Sequence, residues 1–137
     1  MRTLLASCLV LAVVSVAHAE PKAVKPNKDW TGVMKDDTQK KLAPKDGFIV
    51  EAKEFEKLWK AWRTDEKLPE IDFTKEVVVV TLASGPNKPG ISAKLDDGTL
   101  EIIAFATLIG GEGFGYSIAT FDRKGITKVG TKKLPAK

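Results

Sequence analysis

Between Ala52 and Arg63 the apolar residues Phe55, Leu58, Trp59 and Trp62 recur at i, i+3, i+4 and i+7, a single stripe of a 3.6-residue period. Lys53, Lys57 and Lys60 fill the opposite face, and Glu56 precedes Lys60 by one turn, the supportive order for a helical ion pair. This spacing predicts an amphipathic helix anchored on a sheet by its large rings. Beyond Pro69 the periodicity changes. Val77-Val78-Val79-Val80-Thr81-Leu82 is an unbroken, mostly β-branched run, the pattern of a strand covered on both faces. Ile91 to Leu95 alternates instead, as a strand with one wet face does. Asp96-Asp97-Gly98-Thr99 supplies a hairpin turn, because Asp-Gly tolerates the positive φ such turns require.

Leu100 to Leu108 then reads as a long apolar strand. Tyr116 to Asp122 is the next, turned by Asp122-Arg123-Lys124-Gly125 towards a last strand at Ile126 to Val129. Trp30 to Met34 and Phe48 to Val50 are short strand candidates nearer the N-terminus. Asp72, ahead of the valine run, is expected to fix a turn by accepting backbone N–H bonds. These elements together predict an α+β fold: an antiparallel sheet of four to six strands, mostly a meander, with one amphipathic helix packed across a face.

The first residues follow another logic. Met1-Arg2-Thr3 is a short positive head, Leu4 to Val16 is apolar, and Ala17-His18-Ala19 places small residues before Glu20. That is the pattern of a cleavable secretory signal peptide, and the apolar run falls short of the roughly 20 residues a spanning helix needs. A lipoprotein box at Leu5-Ala6-Ser7-Cys8 fits less well, because most of the apolar stretch follows the cysteine. The expected organisation is a signal peptide at 1–19, a proline- and lysine-rich flexible leader at 20–28 and a single globular domain at 29–137. Such a protein is secreted or periplasmic and carries no membrane anchor once cleaved.

Cleavage after Ala19 removes Cys8 and His18, the only cysteine and the only histidine of the 137-residue chain. What remains has no Ser-His or Cys-His nucleophile pair, no zinc site of the usual type and no disulfide. No metal and no cofactor are expected. Basic residues outnumber acidic ones 22 to 18, but only Arg2, Arg63 and Arg123 are arginines. The lysines are dispersed among acids, so the charge reads as a solvated surface, and nucleic acid is not an expected partner.

Gly110-Gly111-Glu112-Gly113-Phe114-Gly115-Tyr116 is the most distinctive stretch. It is no phosphate cradle, since strand-like sequence follows it and Gly-Lys-Ser/Thr is missing. It reads as a bulged corner with Phe114 and Tyr116 packing inward, or as a loop presenting aromatic anchors to a partner. The contact surface expected on the second reading comprises Gly113, Phe114, Gly115 and Tyr116, with Asn87 from Ser84-Gly85-Pro86-Asn87-Lys88-Pro89-Gly90 beside it. The enzyme alternative is a carboxylate-dependent hydrolase centred on Glu112.

Glu56-Lys57-Leu58-Trp59, Leu68-Pro69-Glu70-Ile71-Asp72-Phe73-Thr74-Lys75-Glu76 and Val77-Val78-Val79-Val80 are similar to the C-terminal domain of PrcB-type protease-complex subunits. That family has a Leu-Trp helix, a Pro-x-Val-Asp-Phe turn and a hydrophobic strand. Its usual Gly-Gly-Tyr turn is replaced here by Gly85 to Gly90, and Gly113-Phe114-Gly115-Tyr116 looks more like a group of small exported bacterial proteins. The resemblance implies a non-enzymatic α+β domain associated with an envelope protease or another envelope protein. It carries over no binding residue.

Overall fold

A computed structural model describes Ser15 and residues 17–136. The predicted signal peptide, apart from Ser15 and 17–19, lies outside the described residues. In chain order the elements are β1 (Lys22–Val24), β2 (Lys28–Met34), a 3₁₀ turn (Asp37–Leu42), β3 (Phe48–Ile49), α1 (Ala52–Trp62), β4 (Glu76–Ser84), β5 (Gly90–Asp96), β6 (Thr99–Phe105), β7 (Phe114–Asp122), β8 (Lys128–Val129) and β9 (Lys132–Lys133). The fold is α+β, and the strands form two sheets rather than one.

The four-stranded sheet runs β2-β7-β4-β3 and the five-stranded sheet β1-β5-β6-β8-β9. Among the described residues only one pairing is parallel, Thr99 and Leu100 of β6 beside Lys128 and Val129 of β8. The valine run explains the layering. Val77 and Val79 join Phe48, Ala93, Leu100, Ala119 and Phe121 in a core between the sheets. Val78 and Val80 point the other way, into a second core with the α1 residues Phe55, Leu58, Trp59 and Trp62. The four-stranded sheet is thus the middle layer, and β4 is buried on both faces as its composition predicts. Short loops after β4 suggest a meander, yet β4 pairs along its whole length with β7, from Glu76↔Asp122 to Ser84↔Phe114. The β5–β6 hairpin lies across the sandwich instead, because its single apolar face must be buried against another layer.

Local chemistry sets the corners. Asp97 (φ 43°) and Gly98 (φ 75°) both take positive φ in the β5–β6 turn, as a two-residue hairpin demands. The Thr74 N–H donates to Asp72 Oδ1 at 3.0 Å, fixing the turn before β4. The Thr74 hydroxyl and N–H together hold the Asp72 carboxyl below the ordinary carboxylate range. In α1 the four predicted stripe residues are the four buried ones. Trp59 Nε1 donates to Glu66 O and Trp62 Nε1 to Gln39 O, both at 3.2 Å, so each indole is satisfied where it is buried.

The segment expected as a flexible leader is ordered in the fold. Lys22–Val24 pairs antiparallel with β5, Lys22 opposite Leu95 and Val24 opposite Ala93. Asn27 Nδ2 then donates to Asp122 Oδ1 at 2.9 Å, and Lys28 opens β2. Its polar composition misleads because most of what holds it is backbone pairing to the free edge of β5, with Val24 packed on the inter-sheet core and the Asn27 amide beside it.

Candidate functional site

The glycine-rich stretch is where structure and expectation part. Phe114 and Tyr116 are 0% and 2% exposed and open β7 in the helix-facing core. The Trp62 ring lies 5.3 Å from Phe114 and 4.8 Å from Tyr116, centroid to centroid. The Tyr116 hydroxyl donates to Trp62 O at 3.3 Å and accepts from Arg63 Nη1 at 3.1 Å. Arg63 also donates to Thr31 O on β2 and, through Nε and Nη2, to the Glu66 carboxylate. Burial opposes the charge of this guanidinium, but the Glu66 and Tyr116 oxygens outweigh it and raise its pKa.

The glycines serve this packing. A Cβ at Gly113, whose φ is +82°, would stand 2.0 Å from Met34 O, and one at Gly115 would stand 1.7 Å from Asn87 O. Backbone therefore crosses backbone where a side chain has no room. Gly113, Phe114, Gly115 and Tyr116 are all buried, so none of them is the partner-contact residue it was expected to be. The inward-packing alternative describes them.

Asn87 is also buried, at 3% exposure, and its role is different again. Its Nδ2 donates to Ser84 O and to Ile109 O, the latter at 2.8 Å. Its Oδ1 accepts from the Thr107 hydroxyl at 2.6 Å and the Ile109 N–H at 2.9 Å. Two donors and two acceptor sites are the whole capacity of an amide. The side chain clamps the segment that follows β6 onto the turn that follows β4. The Gly85 N–H adds a bond to Gly113 O at 3.0 Å, so the two distinctive sequence stretches do meet.

The clamped residues, Thr107 and Ile109, continue an exposed apolar stretch that begins on β6. Ile103, Phe105, Leu108 and Ile109 are 51%, 63%, 98% and 61% exposed. β6 ends at Phe105, so Leu108 lies beyond the strand rather than within it as predicted. In the β5–β6 register Ile103 stands opposite Ser92 and Phe105 opposite Gly90, while the Ile102–Ala93 pair faces the core. Side chains alternate across a strand, so Ile103 and Phe105 share the outer face of the five-stranded sheet. The Phe105 ring covers Gly90, where a Cβ would fall 2.5 Å from the ring. Four large apolar side chains are thus exposed within seven consecutive residues.

The signal for this surface was present in the sequence. β5 alternates and so keeps a wet face. A continuously apolar partner strand must then put half its residues on that same wet face.

Glu112 is exposed at the end of this segment and makes no side-chain hydrogen bond or salt bridge among the described residues. Among the described residues no group of three or more His, Cys, Asp or Glu is placed to hold a metal ion. No protein-family model matches the chain, and neither a curated protein nor a solved structure does.

Proposed function

We propose that this protein is an exported, non-catalytic binding module that assembles with another envelope component through the Ile103–Ile109 surface. The observation that carries the reading is Asn87. A buried amide spends its whole hydrogen-bonding capacity on holding in one shape a segment whose largest side chains face water. A merely structural connection of that length needs no exposed leucine and isoleucine at its tip. A preformed apolar surface lowers the ordering cost of association. The resemblance to PrcB-type subunits makes an envelope protease complex the partner class in this proposal. The residues of that resemblance lie mainly on α1, the Asp72 turn and β4, which build the core, so the contact residues are this chain's own.

The test is a Leu108→Asp/Ile109→Asp double variant beside the wild-type protein. Both side chains face solvent, so the melting temperature is expected to stay within about 2 °C, the range of surface substitutions. Capture of a specific envelope protein from extract, quantified against the wild type, is expected to fall at least about tenfold, as for loss of apolar anchors at an interface centre. Equal capture by both proteins would remove this surface from the account.

A further inference from the structure

A second surface shares no residue with the first. β3 is the outer edge of the four-stranded sheet. The Val80 N–H donates to Gly47 O at 2.9 Å, one step before Phe48↔Val79 and Ile49↔Val78 in the same antiparallel ladder. Hydrogen-bonded and non-hydrogen-bonded pairs alternate along such a ladder, so the N–H and C=O of Phe48 turn away from β4. No strand occupies that side among the described residues. A cleft of about 480 Å³ opens there, within the range of ligand-binding clefts.

The lining of this cleft has two characters. Pro44, Phe48, Val50, Leu58 and Pro135 make it apolar, whereas Lys41, Lys45, Lys57 and Lys133 bring positive charge from three separate parts of the chain. None of these four lysines forms a salt bridge among the described residues. Its two acids are Asp46 and Glu54, and Asp46 is already engaged by Lys132 at 3.4 Å. The cleft is left with an excess of uncompensated cations around an apolar lining and an unpaired strand edge.

We propose that this cleft takes an extended acidic peptide segment, which adds to β3 as a further strand. Each feature selects part of that ligand. The Phe48 edge selects a backbone that offers N–H and C=O groups in alternation. The apolar lining selects side chains on one face of the added strand, and the four lysines select carboxylates on the other. A small anion would use the lysines alone and leave the strand edge unpaired.

The experiment is fluorescence anisotropy of a fluorescein-labelled heptapeptide alternating acidic residues with valine, titrated with the purified protein at low salt. Three comparisons accompany it: the same peptide with amides in place of its carboxylates, the same peptide N-methylated at alternate residues, and a Lys57→Glu/Lys133→Glu variant of the protein. Lys57 and Lys133 are exposed, and an unchanged melting temperature confirms that the variant is folded. The acidic peptide is expected to bind, with each of the three comparisons weaker by about tenfold or more. Failure of the acidic peptide to bind overturns the proposal. So does equal binding of the amide peptide, of the methylated peptide, which would show charge-only attraction, or of the acidic peptide to the variant. The outcome is independent of the Leu108→Asp/Ile109→Asp test, whose residues lie outside the cleft.

Discussion

Replacing Phe114 or Tyr116 by alanine is expected to destabilise the fold by about 3–5 kcal/mol, the cost of emptying a buried aromatic site. Phe114 has no exposed surface, lies against Trp62 and is covered by Lys40, whose Nζ is 5.6 Å from the ring centroid. Tyr116→Ala removes in addition the hydroxyl that ties Trp62 O to Arg63, leaving a buried carbonyl and a guanidinium proton short of a partner. Tyr116→Phe separates these contributions. It keeps the ring and deletes the hydroxyl, so it is expected to lose about 1–2 kcal/mol. Urea denaturation followed by tryptophan fluorescence measures all three. A loss below about 1 kcal/mol for Phe114→Ala would return these rings to the surface and contradict the packing described above.

The second large effect belongs to a residue without a side chain. Gly115→Ala is expected to cost about 3 kcal/mol or prevent folding, through overpacking that has no room to relax. The Cβ would lie 1.7 Å from Asn87 O and 2.4 Å from Asn87 C, which are backbone atoms and cannot swing aside as a side-chain tip does. Either β7 shifts out of register with β2 and β4, or the 85–89 turn lifts. In the second case Asn87 loses its grip on Thr107 and Ile109, and the apolar surface loosens with it. Gly110→Ala is the control. A Cβ there meets nothing within 4 Å and the φ lies outside the left-handed region, so a change within about 0.5 kcal/mol is expected. Equal effects at the two glycines in thermal unfolding would show that close backbone approach is not what the stretch is for.

How much of this could be read from residues alone depends on whether the cause is local. The α1 stripe was fully legible, because a 3.6-residue period and the burial it produces are the same fact seen twice. The Val77–Val80 run announced a doubly covered strand, and Asp97-Gly98 announced its turn, for equally local reasons. Pairing partners were not legible. β4 meets β7 across a separation that includes a whole hairpin, and β1, apart from Val24 on the core, is fixed by backbone bonds that many sequences could make. The glycine stretch shows the same limit. Its composition states that something passes close by, but whether that is a ligand or the Asn87 carbonyl is a tertiary fact. Asn87, expected at a partner surface, is buried in a hydrogen-bonded clamp, and a polar residue in a Pro-Gly turn gives no hint of such burial.

The central claim is that the segment held by Asn87 is a preformed contact surface. Backbone hydrogen exchange, compared between the free protein and its complex with the captured envelope partner, reads that claim residue by residue. Slowed exchange confined to 103–109, with 114–120 unchanged because that strand is already paired on both sides, is the predicted result. A footprint that leaves 103–109 exchanging as in the free protein, and falls on another face, would contradict it.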